Sequence, residues 1–276
     1  MIKKTLKILS IITLIITILV VYSRYIATTG LITKEIKLDN QNINSDFDGL
    51  KIVHFSDLHY KRIITKKRIE EIINEINIIN PDIIIFTGDL IDNDSKINDT
   101  DIKYLKETLN KLNSKYGKYA VLGNHDYSID IETIRDIYND SNFKLLENEY
   151  DIIYSKNNQK LYVGGISTGE FNENTINNLT TEENIYKIML LHEPDFIDEL
   201  NNLNINLALS GHSHNGQINI PYIKKLFLPQ GAKKYYDDHY KVNNTDLYIS
   251  NGIGVSRINF RLFNTPSINF YRINKD

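Results

Sequence analysis

The sequence contains no cysteine, and its 32 basic and 35 acidic residues leave a formal net charge of only -3 at pH 7. The lack of cysteine excludes disulfide bonds, thiolate metal ligands and cysteine nucleophiles. The weak net charge provides no strong field to recruit nucleic acid, and the aromatic and basic residues form no recognised nucleic-acid motif. We therefore expect no nucleic-acid partner.

Low-complexity linkers and internal repeats are also missing from residues 31–276. The chain has 276 residues, of which 41% are hydrophobic, and that is enough to build one sizeable core. We therefore expect two parts. Residues 1–30 would hold a cytoplasmic basic stub, a membrane anchor helix and a short linker, and residues 31–276 would form one folded domain.

The expected anchor is an uncharged run over residues 8–23, which follows three lysines and which Arg24 closes. As a helix the run would be about 24 Å long, and flanking Lys7, Tyr22 and Arg24 can extend it across a bilayer core of about 30 Å. Since most of the flanking positive charge precedes the run, the lysines should stay in the cytoplasm. This predicts a single-pass cell-membrane protein with its folded domain outside the cytoplasm.

The alternative is export after cleavage of a signal peptide, which has a similar layout of charged and apolar residues. Residues 22–27 offer a poor cleavage site, because signal peptides end in small residues. No pair of arginines occurs near the start, so twin-arginine export is not indicated.

Strand and helix patterns alternate along the first two thirds of the folded domain. An edge strand is predicted at residues 31–38, and buried strands rich in Ile, Val and Leu at 51–55, 82–86, 118–122, 160–164, 187–191 and 205–209. Helices are predicted at residues 65–79, 101–114, 131–139 and 195–203. The alternation favours a largely parallel sheet with helices outside. After residue 214 the pattern changes to strands at 217–220, 247–250 and 267–272, which a second, mixed sheet packed on the first would explain.

Five polar clusters, each directly after a predicted strand, hold five of the seven histidines. In chain order they are Asp57-Leu58-His59, Gly88-Asp89, Gly123-Asn124-His125-Asp126, His192 and Gly211-His212-Ser213-His214. In open α/β sheets, reactive groups gather at the carboxyl ends of strands, so the clusters should meet in space. Carboxylate and imidazole ligands without thiolate suit Mn, Fe, Zn, Ni or Co better than Ca or Mg.

Taken singly, most of these clusters have an ordinary structural explanation. An Asp-x-His is a weak signal, Gly-Asp and Gly-Asn-His-Asp suit turns, and His192 could begin a helix. Gly-His-Ser-His is the most specific of the five. Their combination in this order, each after a strand, indicates a hydrolase that binds two divalent transition-metal ions.

The motif set resembles that of the calcineurin-like metallophosphoesterase superfamily, with the pattern D-x-H, G-D, G-N-H-[DE], H and G-H-x-H. The resemblance covers residues 50–250 without a departure at any motif residue. It implies an α/β fold, a four-layer α/β/β/α sandwich with two mixed β-sheets, preceded here by the membrane helix. It also implies two metal sites. The first would use Asp57, His59, Asp89 and His214, and the second Asp89, Asn124, His192 and His212.

The later part of the chain resembles the membrane-associated or exported bacterial branch of that superfamily. The stretches concerned are residues 211–217, 228–229 and 247–254, with Arg261 ahead of Pro266. This branch is similar to cell-wall-associated phosphoesterases and to UDP-2,3-diacylglucosamine hydrolases. The resemblance implies that residues 31–276 are a metallophosphoesterase catalytic domain.

The expected chemistry is in-line attack by a hydroxide that bridges the two metals. Two dications, two aspartates and this hydroxide leave a small positive charge, which attracts an anionic phosphate. His125 is expected to donate a proton to the leaving oxygen, because the family uses this histidine off the metals. Either Asp92, which we slightly favour, or Asp126 would orient the imidazole and raise its pKa.

Basic residues near the clusters are candidates for binding the substrate phosphate, although each could be an ordinary surface charge. Arg261 is the best of them, followed by Arg257, Lys233 and Lys234, and Lys61 and Arg62 also lie beside a cluster. His54, which precedes the first cluster on a strand, should pack in the core.

We therefore expect hydrolysis of a phosphodiester or pyrophosphate, on a membrane-lipid or cell-envelope substrate. One alternative is a phosphomonoesterase or phosphoprotein phosphatase, although the chain has Asn93 near the place where that branch carries an arginine. A second alternative is a non-catalytic scaffold with the same fold. Such relatives usually lack several metal ligands, whereas all seven candidates are present here.

Overall fold

The protein was analysed as a computed structural model, which describes residues 2–168, 173–181 and 184–276. The described residues form twelve strands. Their bounds are β1 Ile32–Asp39, β2 Leu50–Phe55, β3 Ile83–Phe86, β4 Lys118–Ala120, β5 Phe143–Leu145, β6 Glu149–Tyr154, β7 Lys160–Ile166, β8 Lys187–Leu191, β9 Leu207–Ser210, β10 His239–Val242, β11 Thr245–Ile249 and β12 Ser267–Asn274. The α-helices are α1 Ile2–Val21, α2 Lys66–Ile79, α3 Asp99–Leu109, α4 Ile131–Asp140 and α5 Glu173–Leu179.

The strands pair into two six-stranded sheets, with the orders β1-β12-β2-β3-β4-β5 and β10-β11-β9-β8-β7-β6. Both sheets are mixed. In the first, β2 to β5 are parallel and β12 runs antiparallel to β2; in the second, β7, β8, β9 and β11 are parallel and are flanked by antiparallel β6 and β10. This confirms the expected pair of mixed sheets.

Three apolar clusters separate four layers. Successive side chains of a strand point to opposite faces, so on β2 Val53 packs toward the helices and Ile52 toward the second sheet. The cluster on the outer face of the first sheet packs this sheet against α2, α3 and α4, through residues such as Ile69, Leu105 and Ile134. The cluster on the outer face of the second sheet packs that sheet against α5 and the 3-10 helix Pro194–Leu203. The result is the expected α/β/β/α sandwich.

Two buried lysines, one on each sheet, join a strand to the C-terminus of a helix that packs on that sheet. Lys118 on β4 donates to the carbonyl of Leu109, the last residue of α3, at 3.2 Å. Lys187 on β8 donates to the carbonyl of Leu203, the last residue of the 3-10 helix, at 3.0 Å. A cation at a helix C-terminus is stabilised by the unpaired carbonyls and by the helix dipole.

Several predicted elements differ from the structure. No strand forms at residues 217–220, where Ile218 makes only an isolated bridge to Leu262 and Gln217 has a positive φ of 31°. The helix predicted at residues 195–203 is a 3-10 helix that begins at Pro194. The helix predicted at residues 101–114 begins at Asp99, because Asn98 and Asp101 form a capping box.

Strands β5, β6 and β10 were not predicted. Each is short or lies at a sheet edge, and β6 and β10 each have only one buried residue, so they lack the apolar run that marks a central strand. The segment Glu173–Leu179, rich in asparagine, also forms a helix that the pattern did not indicate.

The N-terminal helix is longer than the predicted run. It begins at Ile2 and continues through a π-helical turn at Tyr22–Ile26, and none of the residues of α1 is buried. The 25 residues are long and apolar enough to cross a bilayer, a property that signal sequences share. The division of the chain at residue 30 stays a prediction.

The direction of β1 decides where this helix joins the domain. β1 is parallel to β12, and β12 is antiparallel to β2, so β1 begins at the end of the sheet where β2 ends. In agreement with this, the Arg261 amide donates to the carbonyl of Ser23 at 3.0 Å. The helix therefore meets the domain at the edge that carries the polar clusters.

His54 lies in the core as predicted, fully buried on β2, with its Nε2 2.9 Å from Thr87 Oγ1. Burial lowers the pKa of His54 to about 3, from an ordinary value of 6.5. Between these two values the unfolded chain binds a proton that the folded protein does not, so this imidazole reduces the stability as the pH falls below about 6.5.

We expect the substitution His54→Gln, which keeps a hydrogen-bonding partner for Thr87, to reduce this acid sensitivity. The free energy of unfolding should then fall less steeply between about pH 6 and pH 5, by up to about 1.4 kcal/mol per pH unit. Urea unfolding in detergent at each pH measures it for both proteins. Equal slopes for the variant and the parent would contradict a neutral buried imidazole.

Candidate metal centre

The five polar clusters meet at the edge where β2, β3, β4, β8 and β9 end, as the strand pattern predicted. Asp89 lies at the middle of the group. Its Oδ2 is 3.6 Å from His59 Nε2 on one side and 3.4 Å from His192 Nε2 on the other. This one carboxylate thus lies between the loop after β2, in the first sheet, and the loop after β8, in the second sheet.

Tight turns aim these side chains inward. Five of the predicted metal ligands have positive φ values, which non-glycine residues adopt at a cost of about 1–3 kcal/mol each. They are Asp57 (53°), His59 (44°), Asp89 (58°), His212 (66°) and His214 (48°). Strain repeated at five positions of one site indicates that the surrounding structure holds these turns for a functional reason.

Two glycines let the loops after β3 and β4 touch through their backbones. A Cβ at Gly88 would lie 2.8 Å from His192 Nδ1, and a Cβ at Gly123 would lie 2.2 Å from Asp89 Oδ1. No side chain fits at either position without moving a predicted ligand. The glycines of the Gly-Asp and Gly-Asn-His-Asp clusters are therefore required by close packing.

The first group of possible ligands is Asp57, His59 and His214, all buried. The Nε2 atoms of the two imidazoles face each other at 3.2 Å, and Asp57 Oδ1 lies 3.5 Å from His214 Nε2. On the far side of its ring, His59 Nδ1 lies 3.3 Å from Asp92 Oδ1. A carboxylate on that side favours a proton on Nδ1 and leaves the Nε2 lone pair for a cation, although the two atoms do not form a hydrogen bond.

The second group is Asp89, His192 and His212, with the half-buried Asn124 beside it. His192 Nε2 lies 3.1 Å from both Asn124 Oδ1 and His212 Nδ1. The outer nitrogens donate to backbone carbonyls, His192 Nδ1 to Thr87 at 2.6 Å and His212 Nε2 to Gln230 at 2.7 Å. These hydrogen bonds place a proton on each outer nitrogen, so the inner nitrogens face the possible cation. Burial alone would lower the pKa of His192, but Asp89 and Asp57 raise it to about 10, so a cation bound there would displace a proton from the inner nitrogen.

The charges of the site also fit cations. Burial by itself would raise the pKa of Asp89, but His192 and His59 outweigh it and hold that pKa well below its ordinary value. Burial lowers the pKa of His212 to about 3, and it lowers that of His214 as well, so both imidazoles are neutral. The donor set of carboxylate, amide and neutral imidazole without thiolate suits first-row transition metals.

His125 lies at the open side of the centre, half-buried and in edge contact with the His59 ring. Its amide donates to Asp89 Oδ1 at 2.8 Å, and its Nδ1 accepts the Asn93 amide at 3.3 Å. Burial outweighs the nearby carboxylates and lowers the pKa of His125, contrary to the predicted rise. The Asn93 bond leaves the Nε2 edge of the ring available to a substrate.

The two aspartates proposed to orient His125 have different positions. Asp92 Oδ1 lies 3.6 Å from His125 Nδ1. Asp126 faces away from that ring and accepts the amides of Asp89, Leu90 and Gly123 at 3.0, 2.9 and 2.9 Å. The structure thus places Asp92 next to the imidazole, and Asp126 holds the two loops together.

A cavity of about 560 Å³ opens over the centre. Its polar wall includes Asp89, Asn124, His125, His212, His214 and Arg257. The apolar residues of its lining are Phe196, Ile218, Phe227, Pro229 and Ile258. Glu193, directly after His192, also lines the cavity, and burial raises its pKa.

Of the four basic residues predicted to bind substrate, Arg257 alone lines this cavity. Lys233 donates to the Leu228 carbonyl, and Lys234 pairs with Asp198 at 2.6 Å. Arg261 is fully buried, with its guanidinium bonded to the carbonyls of Gly252 and Gly254 and 3.3 Å from His214 Nδ1. It contacts the back of a predicted ligand, and it does not reach the cavity.

Lys61 and Arg62 are also occupied by aspartates. Lys61 pairs with Asp101 at 2.9 Å, and Arg62 pairs with Asp92 at 3.1 Å. Glu193 and the apolar residues of the cavity lining were not predicted from the sequence. The position of Glu193 beside His192 was a usable signal, whereas nothing in the local pattern marked Phe196, Phe227 or Ile258.

The sequence is similar to those of several known phosphoesterases. A sequence model of the calcineurin-like phosphoesterase family matches residues 50–216. The Bacillus subtilis metallophosphoesterase YkuE is 30% identical over 257 residues, 91% of this chain and 88% of YkuE. The Escherichia coli phosphodiesterase YaeI is 26% identical, over 74% of this chain and 75% of its own. A zebrafish transmembrane protein with a metallophosphoesterase domain is 25% identical, over 85% of this chain and 55% of its own.

We expect Asp89→Asn to abolish binding of both metal ions, because this carboxylate lies between the two ligand groups and an amide carries no charge. Elemental analysis after gel filtration should find about two ions per chain in the parent and less than about one in the variant. Asp94→Asn is the matched control, since its side chain is 82% exposed. Retention of both ions by Asp89→Asn would contradict the shared site.

Proposed function

The chain belongs to the calcineurin-like phosphoesterase family, and we propose that it hydrolyses a phosphodiester or pyrophosphate with two divalent cations at the centre described above. The observation that supports this most directly is the place of Asp89, within 3.6 Å of a histidine from each ligand group. Bound cations of the Mn, Fe, Zn, Ni or Co type would lower the pKa of water and offset phosphate charge.

His125 is our candidate for the residue that supplies a proton to the leaving oxygen. Its Nδ1 is held by the Asn93 amide, and its ring lines the cavity, so Nε2 is the nitrogen that a substrate can reach. Burial lowers the pKa of His125, and an anionic phosphate in the cavity acts in the opposite direction. Asp92, at 3.6 Å, adds to that effect.

The walls of the cavity support a substrate with both an anionic and an apolar part. Arg257 is the basic lining residue that can pair with phosphate oxygens, and Phe196, Phe227 and Ile258 of the same lining offer apolar contact. A lipid phosphodiester or a lipid-linked cell-envelope precursor has this composition. The N-terminal helix joins the domain at the same edge as the cavity, which supports a substrate from the membrane.

The same helix supports a location at the cell membrane, with the catalytic domain outside the cytoplasm. Its 25 residues suffice to cross a bilayer, and three lysines precede the uncharged run while one arginine follows it. Export after signal cleavage is the alternative location.

The reaction class can be tested with the full chain in detergent, loaded with Mn²⁺. We expect faster hydrolysis of bis-(p-nitrophenyl) phosphate than of p-nitrophenyl phosphate, because the site is proposed to act on diesters. The opposite preference would indicate a phosphomonoesterase. Hydrolysis of neither ester by a protein that retains its metals would indicate a scaffold.

We expect His125→Ala to lower kcat on the diester by about 10²- to 10⁴-fold, the range for loss of a proton donor, with metal content unchanged. The loss should be larger for a diester with an alkoxide leaving group than for one that releases p-nitrophenolate, because the alkoxide needs the proton more. His239→Ala, exposed on the edge strand β10 and outside the cavity lining, is the matched control. An equal loss for both leaving groups would argue against proton donation.

A further inference from the structure

Six exposed apolar side chains lie on two loops beside the cavity, over residues 219–227 and 258–263. We call them the apolar lip: Tyr222, Ile223, Leu226, Phe227, Ile258 and Phe263. Tyr222 is 91% exposed, Leu226 79% and Phe263 66%. Single exposed apolar residues are ordinary, but a contiguous group of large ones marks an interaction surface.

Hydrogen bonds join the two loops into one surface. The Asn219 amide donates to the Leu262 carbonyl at 2.8 Å, and the Leu262 amide donates to the Gln217 carbonyl at 3.1 Å. The Gln217 side chain donates to the carbonyls of Ile258 and Phe260 at 2.8 and 2.9 Å. The lip is therefore fixed to the catalytic domain and to the wall of its cavity.

The backbone of the lip is strained at its most exposed aromatic residues. Tyr222 has a φ of 66° and Phe263 a φ of 53°, in the left-handed region that bulky residues rarely occupy. Exposure of an aromatic ring to water offers no free energy that would offset this strain. Binding of the ring to a partner surface would offset it, and strained backbone conformations cluster where function requires them.

The lip lies next to the end of the N-terminal helix. The Arg261 amide, two residues before Phe263, donates to the carbonyl of Ser23 at 3.0 Å. The helix and the lip thus share one side of the domain, and this is also the side of the metal centre. A bilayer that contains α1 is the apolar phase nearest to these side chains.

We propose that the apolar lip inserts into the headgroup region of the bilayer that holds α1, so that the cavity opens against the membrane surface. The proposal rests on the membrane location given under the proposed function and deepens it. Phe227 and Ile258 belong both to the lip and to the cavity wall. They would guide the apolar part of a lipid phosphoester from the bilayer to the metal centre.

The absence of tryptophan from the chain permits a direct test. Single variants Leu226→Trp and Phe263→Trp of the full chain are reconstituted into phosphatidylcholine–phosphatidylglycerol vesicles with or without brominated acyl chains. Leu14→Trp, within α1, is the positive control. Tyr154→Trp is the negative control, because Tyr154 is 54% exposed and the next residue, Ser155, bonds Asp46, which follows the far end of β1.

We expect blue-shifted emission and about twofold quenching by brominated lipid at positions 226 and 263, as for side chains about 5–10 Å below the headgroup surface. Position 154 should be unquenched. Quenching at position 14 but not at the lip would overturn the proposal, as would no quenching at position 14. A blue shift without bromolipid quenching would also overturn it, in favour of contact between protein copies.

The fluorescence measurement needs no turnover, so its outcome is independent of the proposed reaction. An inserted lip on a protein that hydrolyses neither nitrophenyl ester would defeat the proposed function alone. Conversely, active enzyme with an unquenched lip would retain the function and defeat this proposal.

Discussion

The close approach of the loops after β3 and β4 is the constraint on which the metal centre depends. The Asp126 carboxylate accepts amides from both loops, at Gly123 on one and at Asp89 and Leu90 on the other. With no side chain at Gly88 or Gly123, the backbones can touch. This packing fixes the Asp89 side chain between histidines that come from opposite halves of the sandwich.

The central strands and the site could be predicted from the sequence because both rest on strong local signals. Runs of Ile, Val, Leu and Met mark β2, β3 and β8, and a parallel sheet brings the ends of such strands to one edge. The motif clusters then had to meet there. The edge strands β6 and β10 carry no such signal, since exposed strands pair through their backbone and tolerate many side chains.

The basic residues show where prediction from sequence ends. Arg257 and Arg261 stand four positions apart, yet one lines the cavity and the other is fully buried behind His214. What separates them is the path of a loop without regular structure, in which Arg257 has a φ of 58° and Arg261 is held by the carbonyls of Gly252 and Gly254. Such a path depends on contacts distant in sequence, so no local pattern encodes it.

Arg261 also joins two regions that would otherwise be unrelated, since its amide holds the Ser23 carbonyl and its guanidinium lies against His214. A peptidase that cut the chain after residue 23 would remove the acceptor of the Arg261 amide and leave a charged amino terminus at Arg24. Release of the domain from the helix would then also change the position of Arg261, which contacts the predicted metal ligand His214. Cleavage at this point and the surroundings of His214 would in this way be coupled through a single residue.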